Sequence, residues 1–190
     1  MLEGKKVASD QKVLSLFEPH THAIPRHKGG ALVEFGRQVI LDEVEGGIVT
    51  RYGILAHPHE HGQAVGAVEH HLTLFARPPH VVAGDRGVHS AETEVRLLQL
   101  GVKQVAIPAS RPLSQAQRDR ERTRTFRRGY RWRAGIEGRI ARLRRGYGWS
   151  KCRYRKQDGM ERWLGLGVVA SNLWQIARVE ASRTQIKQAA

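Results

Sequence analysis

Residues 130–144 read YRWRAGIEGRIARLR, a segment with five arginines and one carboxylate, Glu137. Apolar residues recur at helical spacing, so the segment is read as part of a helix over 130–145. At 100° per residue, with Tyr130 at 0°, Arg133 falls at about 300°, Glu137 at about 340° and Arg144 at about 320°. These four share one stripe about 60° wide. Trp132, Ile136, Ile140 and Leu143 lie at about 200–280° and form the expected buried stripe. Arg131, Arg142 and Arg145 fall at about 60–120° and face outwards. Glu137 therefore borders the core, flanked by Tyr and Arg along one line, an ordering that a merely solvated helix does not require.

Charge is distributed unevenly around this helix. Of a net charge of +14, residues 111–155 contribute sixteen Lys and Arg against three acids, and the rest of the chain is close to neutral. An arginine-rich block of this kind points to a polyanion, most often nucleic acid, and arginine suits bidentate phosphate contacts. Tyr147, Trp149 and Tyr154 are interleaved with Lys151, Arg153 and Arg155, a mixture that also suits distorted or single-stranded nucleic acid. The 190 residues suggest one domain. No run approaches the roughly 18 apolar residues of a membrane span. With no charged-then-apolar leader, the expectation is a soluble cytoplasmic protein. The single cysteine, Cys152, excludes an internal disulfide framework and is read as a packing residue.

Upstream, VLSLF at 13–17 reads as a first strand, closed by Glu18-Pro19. His20–Gly30 reads as a loop, Phe35–Glu43 as a second strand, and Ile48–Leu55 as a third strand after the Gly46-Gly47 turn. These three form an expected antiparallel meander. A helix is expected over His61–Phe75, ended by Pro78-Pro79, followed by a short strand over His80–Ala83 and a helix over Ser90–Leu100 capped by Ser90 and Gly101. Gln104–Pro108 is a fifth strand, Ser114–Thr125 an exposed helix or loop, and Met160–Ala177 a last, apolar helix. The whole is an α/β three-layer pattern with a mixed sheet of about five strands and flanking helices. Residues 1–12 are a lead-in and 179–190 a tail.

The spacing Tyr-x2-Arg-x3-Glu-x6-Arg resembles the Y-R-E-K signature of bacterial insertion-sequence transposases with an acidic DDE triad, with Arg144 in place of the final Lys. The likeness continues in GIEGRIARLRRGYG, KCRYR and WLGLGVVASNLWQIAR, and upstream in VVAGDRG, FEPHT, VEFGRQVILDEVEGGIV and LFARPPHVVAGDRG, which look like the small unclassified-type group of these elements. It spans roughly residues 13–178.

That resemblance implies a ribonuclease-H-like fold and a metal-dependent enzyme that cleaves and transfers DNA strands. It implies three acids, Glu18, Asp85 and Glu137, as catalytic residues and as ligands of Mg²⁺ or Mn²⁺. Two ions about 3.5–4 Å apart would be expected, one activating the attacking water or 3′-hydroxyl and the other stabilising the leaving oxygen. DNA contacts are expected from Tyr130, Arg133, Arg139, Arg142, Arg144, Arg145, Lys151 and Arg153. Expected partners are transposon ends and target DNA, with a second copy of the chain and an upstream-encoded recognition domain as further candidates. The bacterial cytoplasm, at the nucleoid, is the expected location.

The chain departs from the group's pattern in two ways. Glu18 stands where that group carries Asp, with Asp42 as a fallback and Asp10 too early. The helical region that recognises terminal repeats is also expected to be absent. Both departures support an alternative, a catalytically inactive DNA-binding remnant. A second alternative is zinc at His57, His59 and His61 in AHPHEHGQ, with Glu60, His20, His22, His70 and His71. Pro58 favours a loop there and the HExxH helical spacing is missing, so these are read as loop histidines. Asn172, Trp174 and Trp163 are read as packing residues.

Overall fold

The structure, a computed structural model, describes residues 12–16, 18, 21–25, 32–55 and 62–189, with side chains to 185. Two short antiparallel hairpins come first. β1 (His22–Pro25) pairs with β2 (Val33–Gly36), and β3 (Val39–Val44) pairs with β4 (Ile48–Ile54). Gly46 and Gly47 turn the second hairpin at φ of +89° and +77°, backbone values that glycine adopts without a Cβ clash. Asp42 faces Arg51 across the two strands and forms an ion pair with it. Arg51 also donates to the Gln63 carbonyl at 3.0 Å, which ties the hairpin to the start of α1 (Gln63–Phe75).

A parallel pair follows. β5 (Val81–Ala83) and β6 (Gln104–Ala106) are joined through α2 (Ala91–Gln99). Ser90 caps α2 by accepting from the Thr93 amide at 2.9 Å, with Glu92 and Glu94 in the first turn complementing the helix dipole. Strand alternation decides which helix each residue meets. Val82, Val105 and Ile107 join Ala64 and Val68 of α1 and Leu97 of α2 in one buried cluster. Val81, Gln104 and Ala106 turn to the opposite face, where they meet Gly129 of α4. Helices thus cover both faces of this pair, as a buried parallel sheet requires.

The chain ends in α3 (Gln115–Arg122), α4 (Arg124–Gly146) and α5 (Lys156–Ala189). Ser114 and Gln117 form a capping box on α3, and Thr123 caps α4. α5 lies along β4 with Leu164, Val168, Ser171 and Gln175 buried. There Asn172 acts as an extra strand partner: its side-chain amide accepts from the Val49 N–H at 3.0 Å and donates to the Val49 carbonyl at 2.8 Å.

The mixed α/β class is as expected, with differences in the strands. Among the described residues the strands pair as three two-stranded sheets, and the five-stranded sheet is not formed. Residues 13–16 of the expected first strand are irregular, with Val13 66% and Leu16 89% exposed. An apolar run becomes a strand only where a neighbouring edge accepts its hydrogen bonds, and among the described residues none pairs with it. Conversely β1 occupies His22–Pro25, within the segment read as a loop. The expected strand 35–43 breaks at Arg37-Gln38, so the meander divides into two hairpins. Asp10, Phe17, His20, His57, His59, Glu60 and His61 lie outside the described residues.

Candidate functional site

Asp85 follows directly on the end of β5 and opens a short 3-10 turn over Arg86–Val88. Gly84 before it is confined: an added Cβ would lie 2.9 Å from Val88 Cγ2 and 3.5 Å from Ile107 Cγ1. Arg86 donates to the Ala109 carbonyl at 3.1 Å, which anchors the turn to the segment after β6. The Asp85 side chain stays 58% exposed.

α4 brings the second acid. Its N-terminal half is fixed by Gln104, which donates to the Thr125 carbonyl at 2.7 Å, and by buried Phe126 and Gly129. Glu121 just before it accepts from the Ala109 amide at 2.9 Å. Two turns on from Phe126, Arg133 leans off the helix toward Asp85. One guanidinium nitrogen of Arg133, Nη2, contacts Asp85 Oδ1 and also Glu137 Oε1, the latter at 3.2 Å. Two oxygens within reach of one nitrogen lie no more than about 6 Å apart. The two carboxylates therefore converge on the same side of the β5–β6 pair. Tyr130 lies against Arg133, with the guanidinium carbon 5.8 Å from its ring centre. Arg144, exposed, follows seven residues after Glu137, about 10 Å further along the axis.

Glu18 does not join these acids. It is half-buried in a turn before β1, where its amide donates to Ser15 Oγ at 3.1 Å and its carbonyl accepts from the Thr21 amide at 3.0 Å. Among the described residues no group of three His, Cys, Asp or Glu side chains is placed to hold a metal ion. Asp42, the fallback, is taken up by Arg51. Burial pushes its carboxyl above the usual carboxylate range, and the hydrogen bond and charge of Arg51 only partly offset that. His70 Nε2 contacts the Thr50 carbonyl at 3.1 Å, and His71 packs at a tilt against Phe75, ring centres 4.5 Å apart. Both histidines are used in packing.

The basic residues divide into two groups. Arg144, Arg145, Lys151 and Arg153 are exposed. Arg139 and Arg142 serve the protein's own packing. Arg139 forms a 2.8 Å ion pair with Glu43 of β3 and is only 9% exposed, and Arg142 stacks on Trp174 at 4.5 Å. The stripe expected to be buried holds at Leu143, which is fully buried, and is corrected at Trp132 and Ile140, which are 47% and 37% exposed; Phe126 and Gly129, before that stripe, are buried as well. α4 is about 35 Å long and packs first on the β5–β6 pair, then near the β3–β4 hairpin and α5. Its buried line consequently drifts from about 320° at Phe126 to about 180° at Arg139. The angle of Arg139 is the one sequence signal of its role, since it falls in neither the Glu137 stripe nor the outward row. An open hollow of about 250 Å³ between the Arg86 turn and the start of α4, lined by Arg86, Arg127 and Arg131 together with Glu121, Phe126 and Tyr130, was not among the features expected from the sequence.

A family model described as the transposase DDE domain matches residues 3–173. The chain belongs to this family. No curated protein and no solved structure matches it. Membership in the DDE transposase family implies DNA as substrate and divalent metal ions in the reaction. No described helix is long and apolar enough to cross a membrane. The donor chemistry of Asp85 and Glu137 fits such an ion: both are exposed carboxylates, and Mg²⁺ is commonly held by one or two carboxylates with waters and substrate phosphates completing the shell.

Proposed function

We propose that the chain is a metal-dependent DDE transposase catalytic domain of ribonuclease-H-like type, which cleaves and transfers DNA strands during insertion-sequence transposition. The observation that carries this reading is the convergence of Asp85 and Glu137 on Arg133. Asp85 and Glu137 would hold Mg²⁺ or Mn²⁺, which when bound supplies Lewis-acid polarisation of the scissile phosphate and a nucleophilic oxygen at neutral pH.

The chain's own residues do the rest. Arg133 compensates the two negative charges and keeps them together. Were an ion held by the two carboxylates, the Arg133 guanidinium would be available for a phosphate oxygen. Arg144 and Arg145, further along α4, and Lys151 and Arg153 after it, face solvent and suit the DNA backbone. Arg86, Arg127 and Arg131 around the hollow at the start of α4 extend that basic surface. Tyr130 supports Arg133 and presents a ring to a sugar or base.

The test is nicking and strand transfer on supercoiled plasmid with Mg²⁺ or Mn²⁺. Glu137→Gln and Asp85→Asn should each reduce both to the background without metal, while leaving DNA binding intact. Activity that survives either change removes that acid from the reaction. A second reading, a DNA-binding remnant without turnover, is favoured by the position of Glu18, in a turn rather than on a strand beside the other two acids. It predicts salt-dependent DNA binding and no cleavage with any divalent ion.

A further inference from the structure

Asp85 and Glu137 share one partner. Asp85 opens its 3-10 turn without a side-chain hydrogen bond to the turn's backbone. Among the described residues, Arg133 is the sole cation paired with either acid. The contact runs through a single nitrogen, Nη2, so one edge of the guanidinium serves both oxygens. Nε and Nη1 make no hydrogen bond among the described residues. A divalent ion shared by Asp85 and Glu137 would compete with Nη2 for the same two oxygens.

The pairing is placed firmly but held loosely. Both carboxylates are more than half exposed, and exposed pairs contribute little. Arg followed by Glu four residues on is also the weaker order on a helix. What keeps the guanidinium near the acids is its seat. Tyr130 lies against it at 5.8 Å and stacks in turn on buried Phe126, ring centres 6.3 Å apart. The free edge, with no protein acceptor, lets a phosphate oxygen engage Nε or Nη1 before Nη2 leaves the carboxylates. Charge points the same way. The two acids and Arg133 sum to −1, and a divalent ion added beside Arg133 meets a like charge within a few ångströms. A phosphate that takes up the guanidinium removes that repulsion.

We propose that Arg133 is a built-in counter-ion that closes the two acids to a divalent cation until a DNA phosphate draws it away. This rests on the reading of Asp85 and Glu137 as the ion's ligands. The ion and DNA then bind cooperatively through one side chain, and linkage makes the effect reciprocal: each strengthens the other by the same factor. The chain off DNA stays poor in metal, although its acids are exposed and already together.

Mn²⁺ binding to the DNA-free chain, followed by the electron paramagnetic resonance signal of free Mn²⁺, reads this contact without turnover. Arg133→Gln should bind Mn²⁺ about tenfold more tightly than the original chain. Arg133→Lys, which keeps the charge, should stay within about threefold of the original. A saturating DNA duplex should raise the Mn²⁺ affinity of the original chain, and that gain should be about tenfold smaller in Arg133→Gln. Equal or weaker Mn²⁺ binding by Arg133→Gln, binding by Arg133→Lys as tight as by Arg133→Gln, or a DNA gain undiminished in Arg133→Gln would each overturn the proposal and leave the metal site standing. Mn²⁺ binding indifferent to Asp85→Asn combined with Glu137→Gln would instead overturn the reading of the site, and the proposal with it. Where Arg133→Gln does not fold, the original chain decides: no gain in Mn²⁺ affinity on adding the duplex would overturn the proposal.

Discussion

Arg133 stands between two carboxylates that are each more than half exposed, so water screens both pairs and neither contributes much to stability. Its effect is on position: two like charges that would separate are held within a few ångströms of one another. Asp42 is the opposite case. Burial raises its carboxyl above the ordinary value of 3.8, and Arg51 pulls it down by less. Between the ordinary and the raised value the folded chain holds a proton that the unfolded chain has lost. The stabilisation from Asp42 is therefore complete below pH 3.8 and is lost as pH rises through the raised folded-state value. Urea unfolding of the original chain and of Asp42→Asn across pH 3.5–7 should show their stability difference falling as pH rises, then levelling. A difference that rises instead would mean the Arg51 pairing outweighs burial.

At the scale of the element, the glycines of α4 separate close packing from simple helix propensity. An added Cβ at Gly129 would lie 2.7 Å from Ala106 Cβ, 3.1 Å from Gln104 Nε2 and 3.3 Å from Val81 Cγ1. At Gly135 and Gly138 it would meet nothing within 4 Å. Alanine is the better helix former by about 1 kcal/mol, but overpacking costs about 1–3 kcal/mol. Gly129→Ala should therefore destabilise the chain by about 1–2 kcal/mol, with α4 pushed off the β5–β6 pair. Gly135→Ala and Gly138→Ala should each stabilise it by about 0.5–1 kcal/mol. Thermal unfolding reads all three, at about 2–4 °C per kcal/mol for a chain of this size. Equal effects at the three positions would mean that α4 does not approach the strands as closely as Gly129 implies.

For the whole molecule, charge and packing make different demands on the same arginine-rich block. Exposed Arg144 and Arg145 contribute to the field that attracts a polyanion, whereas Arg139, paired with Glu43, holds α4 to the β3–β4 hairpin. DNA affinity measured against salt should separate the two roles. Arg144→Ala with Arg145→Ala should make the slope of log affinity on log salt shallower by about 2, with unfolding unchanged. Arg139→Ala should leave that slope alone and cost about 1–3 kcal/mol of stability, because half-buried Glu43 is left without its partner. A slope that moves with Arg139 would place that side chain on the DNA instead.

Helix periodicity, capping residues and charge asymmetry are local properties, and they were legible in order along the chain. Ser90 as a cap, the Gly46-Gly47 turn, the α2 and α4 helices and the short strands at 81 and 104 all follow from neighbours a few residues apart. The acids at 85 and 137 were also legible as residues, since a strand-end aspartate and a carboxylate on an arginine-lined helix face stand out in one dimension. What periodicity could not supply was partnership across the chain. Whether VLSLF becomes a strand depends on an edge to pair with, and whether Arg139 meets Glu43 or a phosphate depends on where α4 drifts relative to a hairpin some 96 residues earlier. Only the tertiary structure decided that Arg133 joins Asp85 to Glu137 and that Glu18 stays apart. Local spacing chooses the elements, and long-range packing chooses their partners.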